Sequence, residues 1–256
     1  MDKKKRFNQI ARDIKDVKIQ GARNIAKKAL EAYSLFPSKK SKRELLNLRP
    51  TEPMLENVLD MAEEGKSLEE IRKHFSDAQE KINEKVLKII KNNDIIFTHC
   101  HSTNVVNSLI YAKNKGKKFE VYITESRPLF QGRKTASQMR KNKIKVTMFV
   151  DSAIDVALSG EQGNKKPDKV FLGADALTKK GIVNKIGSEL IAKIAKQNKI
   201  PVYIIADSWK FTNKKVPLEN RKLNEIWDKA PKGIKIKNPA FEFVENKFIK
   251  KIITEK

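Results

Sequence analysis

A single cysteine, Cys100, in 256 residues leaves no partner within the chain for a disulfide, which fits a reducing compartment. Histidine is almost as scarce, with three residues. A zinc site built from these and the one thiol would need carboxylates to complete it, so no metal is expected. No apolar run approaches the ~20 residues that span a bilayer. The basic start, Met-Asp-Lys-Lys-Lys-Arg, continues into polar residues where a signal peptide would carry its apolar stretch. The chain therefore reads as cytoplasmic, with no membrane partner. Neither a Gly-x-Gly-x-x-Gly nor a Walker A loop is present, so no dinucleotide or nucleoside triphosphate is indicated.

Acidic residues are also in short supply, 31 against 55 basic ones, for a formal net charge of +24. Such a balance suits nucleic acid, small phosphorylated substrates, or a Lys-rich habit of composition that only aids solubility. The aromatics do not interleave with the basic residues as a stacking platform requires, which counts against nucleic acid. What is there is enough for a folded protein: 39% hydrophobic residues exclude disorder, and the length allows one or two domains.

The pattern divides the chain at 92/93. Residues 1–92 read as a helical domain. From Phe7 to Phe36 the residues Ile10, Ile14, Val17, Ile25 and Ala29 recur at helical spacing, with the break at Phe36-Pro37. A second helix is expected from Thr51 as N-cap, with Glu52 and Pro53 just inside. Ser67 followed by Glu70 forms a capping box for a third. Its continuation, 82–90, is again amphipathic. From 93 onward short apolar runs at 95–98, 119–124, 146–150, 169–172 and 202–206 alternate with helices near 102–115, 134–142, 154–158 and 185–197. A last strand is expected within 249–254. Alternation of this kind indicates right-handed βαβ units, hence a Rossmann-like parallel sheet with ligands at the carboxyl ends of its strands.

Four segments fall at those ends. In Thr98-His99-Cys100-His101-Ser102-Thr103 a strand gives way to a helix, whose free N–H groups bind anions with help from the hydroxyls of Ser102 and Thr103. Cys100 there is either a small buried hydrophobe or a thiolate whose pKa the helix start lowers. The loop Thr124-Glu125-Ser126-Arg127-Pro128-Leu129-Phe130-Gln131-Gly132-Arg133-Lys134 concentrates guanidinium groups suited to phosphate, or is an ordinary charged loop. Asp175, after Gly173-Ala174, is placed for acid/base work or for capping the next turn. Asn184-Lys185 is expected to open a helix as a cationic, amide-rich anion site. Lys210 follows the strand at 202–206, as a site cation or a solvated surface charge.

These segments in order, with Thr-Glu-Ser-Arg-Pro-x-x-Gln-Gly, Gly-Ala-Asp and Asn-Lys-Ile-Gly as the specific parts, resemble the translation initiation factor 2B alpha/beta/delta family. The resemblance runs from about Ile19-Gln20-Gly21-Ala22 to Asn238-Pro239-Ala240-Phe241-Glu242, nearly the whole chain. It implies a sugar-phosphate isomerase without cofactor, converting ribose 1,5-bisphosphate to ribulose 1,5-bisphosphate with Cys100 and Asp175 as the acid/base pair. It implies substrate contacts at Gln20, Gly21, Ala22, Arg23, Arg49, Ser102, Thr103, Arg127, Gln131, Asn184, Lys185 and Lys210. It also implies a homodimer or hexamer and a nucleotide activator. Two alternatives stay open within the family: a methylthioribose-1-phosphate isomerase, and a non-catalytic subunit that binds initiation factor 2 and senses a nucleotide or sugar phosphate. Three departures stand out: Gln20 where the isomerases usually carry arginine, a segment 181–184 one residue short, and a trimmed helical stretch between Arg49 and Cys100.

Overall fold

The computed structural model describes residues 2–256. Five helices come first: α1 (Lys3–Lys15), α2 (Ala22–Leu35), α3 (Lys39–Leu46), α4 (Pro53–Glu63) and α5 (Leu68–Ile89). The single helical stretch expected from Phe7 to Phe36 is broken before α2, where Val17 (φ 60°) and Gly21 (φ 84°) turn the chain. The apolar spacing hides this break, because Val17 and Ile25 are eight residues apart and stay in helical phase across it. Gly21 was the available signal, since a left-handed φ is easily reached without a Cβ. Helix α3, capped by Ser38 through Ser41 N at 3.2 Å, is an addition to the expected set. The cap of α4 is Glu52 rather than Thr51, with Pro53 opening the helix. The capping box of Ser67 and Glu70 is present at the start of α5.

The parallel sheet consists of β1 (Asp94–Thr98), β2 (Phe119–Thr124), β3 (Lys145–Phe149), β4 (Lys169–Leu172), β7 (Val202–Ile205) and β9 (Lys251–Ile253) in the order β3-β2-β1-β4-β7-β9. Its helices are α6 (Thr103–Asn114), α7 (Gln131–Lys141), α8 (Ile154–Ser159) and α9 (Ser188–Gln197). A small antiparallel sheet of β5 (Ala176–Leu177), β6 (Gly181–Lys185) and β8 (Phe241–Glu245) lies alongside. Two corrections follow. Asn184 and Lys185 belong to β6, and α9 starts only at Ser188, because 181–185 pairs with β8 through backbone hydrogen bonds. Strand β8 itself had no clear alternation to announce it.

Side chains of the central strands alternate between the two faces. Phe97, Val170, Leu172 and Ile204 pack against Leu158, Ile191 and Ala195 of α8 and α9. Ile96, Phe171 and Ile205 pack against α5, α6 and α7 through Ile82, Val86, Leu109 and Met139. Burial on both faces explains why these strands read as continuous apolar runs. The helical layer has its own core of Ile14, Ile25, Leu45, Leu55 and Leu59, and a second one in which Leu30, Met54, Ile71 and Phe75 meet Trp209. Helix α5 thus contributes its first half to the helical layer and its second half to the sheet. The helical layer is tied over the strand ends by Asn57 Nδ2, which donates to the Trp209 carbonyl at 2.7 Å, and by Thr51 Oγ1, which donates to that of Pro217 at 2.7 Å. Among the described residues, no helix is long and apolar enough to cross a membrane.

Gly132 marks the tightest contact in this arrangement. A Cβ there would stand 1.9 Å from the Thr124 carbonyl oxygen, so α7 can approach the end of β2 only with glycine at this position. Replacing Gly132 by alanine is expected to destabilise the protein by roughly 1–3 kcal/mol, the usual range for overpacking. Urea unfolding of the variant against the wild type checks this.

Candidate active site

Strands β1 and β4 are neighbours whose connections leave in opposite directions, so their carboxyl ends border a crevice at the topological switch of the sheet. The helical layer roofs it. The cavity so formed is lined by the loops after β1 and β4, by the turn before α2, and by Arg49, Glu52, Lys185, Lys210 and Arg221.

Beyond β1 the chain is fastened at every residue. His99 is buried, and its Nε2 is 2.9 Å from the Ile186 carbonyl. A carbonyl only accepts, so Nε2 carries the proton and Nδ1 accepts from the Thr124 hydroxyl. Burial brings the His99 pKa down to about 4, so the ring is neutral and has no free nitrogen for a metal. His101 is likewise held near 4 by burial and is bonded to Thr135 Oγ1 at 2.9 Å. Cys100 has a left-handed backbone (φ 63°), a conformation that costs a non-glycine residue ~1–3 kcal/mol. It is held there from both sides: its N–H donates to Ser126 Oγ at 2.8 Å, and its carbonyl accepts from Thr135 Oγ1 at 2.9 Å.

The thiol departs from the expectation of a lowered pKa. Helix α6 begins at Thr103 behind the N-cap Ser102, so Cys100 lies outside the helix start. Burial instead pushes its pKa up, Asp175 and Asp151 add to this, and Lys185 opposes it. The resting group is a thiol, within 3.4 Å of Gln131 Oε1.

Asp175 follows β4 and Gly173, where a Cβ would collide with the Ser102 side chain at 2.6 Å. The Asp175 N–H pairs with the Val183 carbonyl at 2.8 Å, while its carboxyl makes no hydrogen bond among the described residues. The capping role is thereby excluded. Burial raises its pKa, against the pull of Lys210, Lys185 and Arg49.

Five cationic side chains line the cavity (Arg23, Arg49, Lys185, Lys210 and Arg221) against two carboxyls, Glu52 and Asp175. Arg49 is buried between two carboxyl groups, Glu52 at 3.3 Å and Glu219 at 3.1 Å. Arg221 is paired with Glu225 at 2.6 Å. Lys185 lies 4.9 Å above the Phe241 ring, Arg23 lies 5.4 Å from the centre of Phe75, and Lys210 Nζ donates to the Ala174 carbonyl. Among the described residues, these three have no carboxylate partner within ion-pair distance. The first turn of α2 adds backbone amides: Gly21 offers no side-chain cap, so the N–H groups of Ala22 and Arg23 face the anion-binding end of the helix.

Of the residues expected at the site, Cys100, Asp175, Gln20, Gly21, Ala22, Arg23, Arg49, Ser102, Thr103, Gln131, Asn184, Lys185 and Lys210 line this cavity. Arg127 does not. Its guanidinium donates to the Ile226 carbonyl at 3.2 Å and stacks on Phe130. The amide nitrogen of Asn184 is engaged with Ser188 Oγ at 2.8 Å, which leaves only its oxygen side for a ligand. Sequence reading overlooked Glu52 and Arg221. The spacing of Glu52 suggests an ordinary first-turn residue of α4, yet it is buried, with Oε2 unpartnered among the described residues. Burial and the nearby Asp175 push its pKa up to about 8, against Arg49 and Lys210. An acidic residue three positions after Arg49 was the only hint. Arg221 lies in an irregular stretch with no pattern to single it out.

The sequence profile described as the Initiation factor 2 subunit family matches residues 18–256. The ribose 1,5-bisphosphate isomerase of Archaeoglobus fulgidus is 34% identical over 96% of this chain and 87% of that protein. The methylthioribose-1-phosphate isomerase of Thermosipho africanus is 29% identical over 98% of this chain and 86% of that protein. Among solved structures, the translation initiation factor eIF-2B of Pyrococcus horikoshii OT3 superposes with a TM-score of 0.85 at 26% identity, covering 98% of this chain and 95% of that one. A match over nearly the whole length, in sequence and in fold, makes the chain a member of the initiation factor 2 subunit family.

Proposed function

We propose that the protein is a sugar-phosphate aldose–ketose isomerase that converts ribose 1,5-bisphosphate to ribulose 1,5-bisphosphate. The observation that carries this reading is the pairing, across the β1/β4 crevice, of a lone thiol and an unbonded, half-buried carboxyl inside a wall of cations. The similarity to a ribose 1,5-bisphosphate isomerase supports the choice of substrate.

The chemistry balances with these two groups alone. Asp175, whose pKa burial raises, gives its proton to the ring oxygen as the C1–O4 bond breaks. The Cys100 thiolate takes the proton from C2. That proton is delivered to C1, and the C2 hydroxyl proton returns to Asp175 as C2 becomes the ketone. C2 is oxidised and C1 reduced within one molecule, so no external oxidant takes part. The phosphates are held by Lys185, Lys210, Arg49 and the starts of α2 and α6. Of the groups around Cys100, Lys185 and the His101 backbone amide favour the thiolate.

A second reading rests on the high structural similarity to an initiation factor: a non-catalytic subunit that keeps the cavity as a sensor. Incubation of the purified protein with ribose 1,5-bisphosphate separates the two. The isomerase reading expects ribulose 1,5-bisphosphate to form. It expects Cys100→Ser and Asp175→Asn each to lower kcat by about a hundred- to ten-thousand-fold, the range for a general acid or base. Ligand binding without turnover, unaltered by Cys100→Ser, would favour the sensor.

Glu52 gives the reading a pH signature. A phosphate reaching Arg49 competes with Glu52 for the same guanidinium. Below its pKa of about 8 Glu52 is neutral and gives way; as pH rises through that value it becomes an anion and holds Arg49. KM for the sugar phosphate is therefore expected to rise above pH 8, and Glu52→Gln to flatten that rise. A KM profile that is the same in the variant overturns the assignment.

A further inference from the structure

The residue that departs from the isomerase pattern, Gln20, has a place in the site that phosphate binding does not explain. Its Nε2 donates to the Val17 carbonyl at 3.0 Å. A carbonyl cannot donate, so this bond fixes the amide, and Gln20 Oε1 must face the other way. There it accepts from Gln131 Nε2 at 3.1 Å, which fixes the second amide in turn. Gln131 Oε1 is left facing Cys100 Sγ at 3.4 Å. One backbone carbonyl in the turn before α2 thereby sets the sense of a chain of hydrogen bonds that ends on sulfur.

We propose that Gln20 is a positioning residue: by fixing which end of the Gln131 amide faces Cys100, it keeps the proton on sulfur until a ligand enters. An amide oxygen accepts from S–H but only repels a thiolate, whereas an amide NH2 would donate to the thiolate and favour it. Reversing Gln131 alone would set its oxygen against Gln20 Oε1, so the choice is made at residue 20. The other groups around the thiol are Lys185 from β6, Asp175 after β4, Asp151 after β3 and the His101 amide. His99 and His101 are neutral. Only Lys185 and the His101 amide favour the anion. A sugar hydroxyl that enters the cavity and displaces the thiol from Gln131 Oε1 breaks the bond that holds the proton, and the proton leaves to solvent. The proposal rests on Cys100 being the reacting base, but the titration of the thiol can be read with no substrate present.

Because Cys100 is the only cysteine, the rate of alkylation by iodoacetamide across pH reports on this group alone. The wild type is expected to titrate above the ~8.5 of a free thiol. Gln20→Met, which cannot accept from Gln131, is expected to lower the midpoint by about one unit, so that alkylation near pH 7 is about tenfold faster. Gln131→Met removes the acceptor itself and is expected to lower the midpoint too. The double variant should titrate no lower than the lower of the two single ones, since both act through one contact. Mere loosening of the loop would raise the plateau rate without moving the midpoint. An unmoved midpoint in Gln20→Met, or shifts that add in the double variant, overturns the proposal. Failure of turnover with an altered midpoint would count against the isomerase reading and leave this one standing.

Discussion

Everything about this site follows from the seam between β1 and β4. In a parallel sheet all carboxyl ends point the same way, and at this one junction the connections diverge, so the backbone leaves an opening there. Loops from four strands converge on it without having to be near one another in sequence. Because the strands are buried on both faces, the opening cannot be filled by shifting one of them. It has to be covered from outside, and the five N-terminal helices do that. Arg49 and Glu52 come from this cover, Cys100 and Asp175 from the sheet, and neither layer alone makes the cavity.

Enclosing charge in this way imposes a second condition. A buried ion without a partner is far more costly than a paired one, and the cavity meets this with two devices. Arg49 and Arg221 are matched by carboxylates, while Lys185 and Arg23 lie over aromatic rings and Lys210 against a backbone carbonyl. Asp175 and the thiol have no such compensation, and burial raises the pKa of each. Acid groups poised in this way suit proton transfer at neutral pH better than fully ionised ones.

The fold was largely legible in the sequence, because it is written in short-range patterns. Apolar runs of four to six residues gave the buried strands within a residue or so, and the Ser67–Glu70 box gave the start of α5. What failed were features set by backbone geometry or long-range pairing. The turn at 16–21 keeps the apolar residues in helical phase, so periodicity passes over it. Lys185 looks like a helix opener until β8, 56 residues further on, pairs with it. For the site, strand ends and family-like segments led to Cys100, Asp175 and the cations. They also led to Arg127, whose composition suits phosphate but which the loop directs to Ile226. Whether Cys100 rests as thiol or thiolate is not legible in the sequence, because it depends on where α6 begins and on the groups that the fold brings around sulfur, neither of which is a property of residue order.

Arg49 also carries a consequence for selectivity. Its guanidinium is already flanked by the protein's own Glu52 and Glu219, so the cavity presents a partly compensated cation rather than an exposed positive hole. Any anion that comes to rest there does so by counter-ion exchange, and must outcompete groups that are tethered in place. A singly charged or weakly hydrogen-bonding anion has little to offer in such an exchange, whereas a phosphate dianion anchored elsewhere by the rest of its molecule does. On the proposed isomerase reading, the site discriminates by displacement, admitting a ligand for the difference between its charge and the charge it evicts.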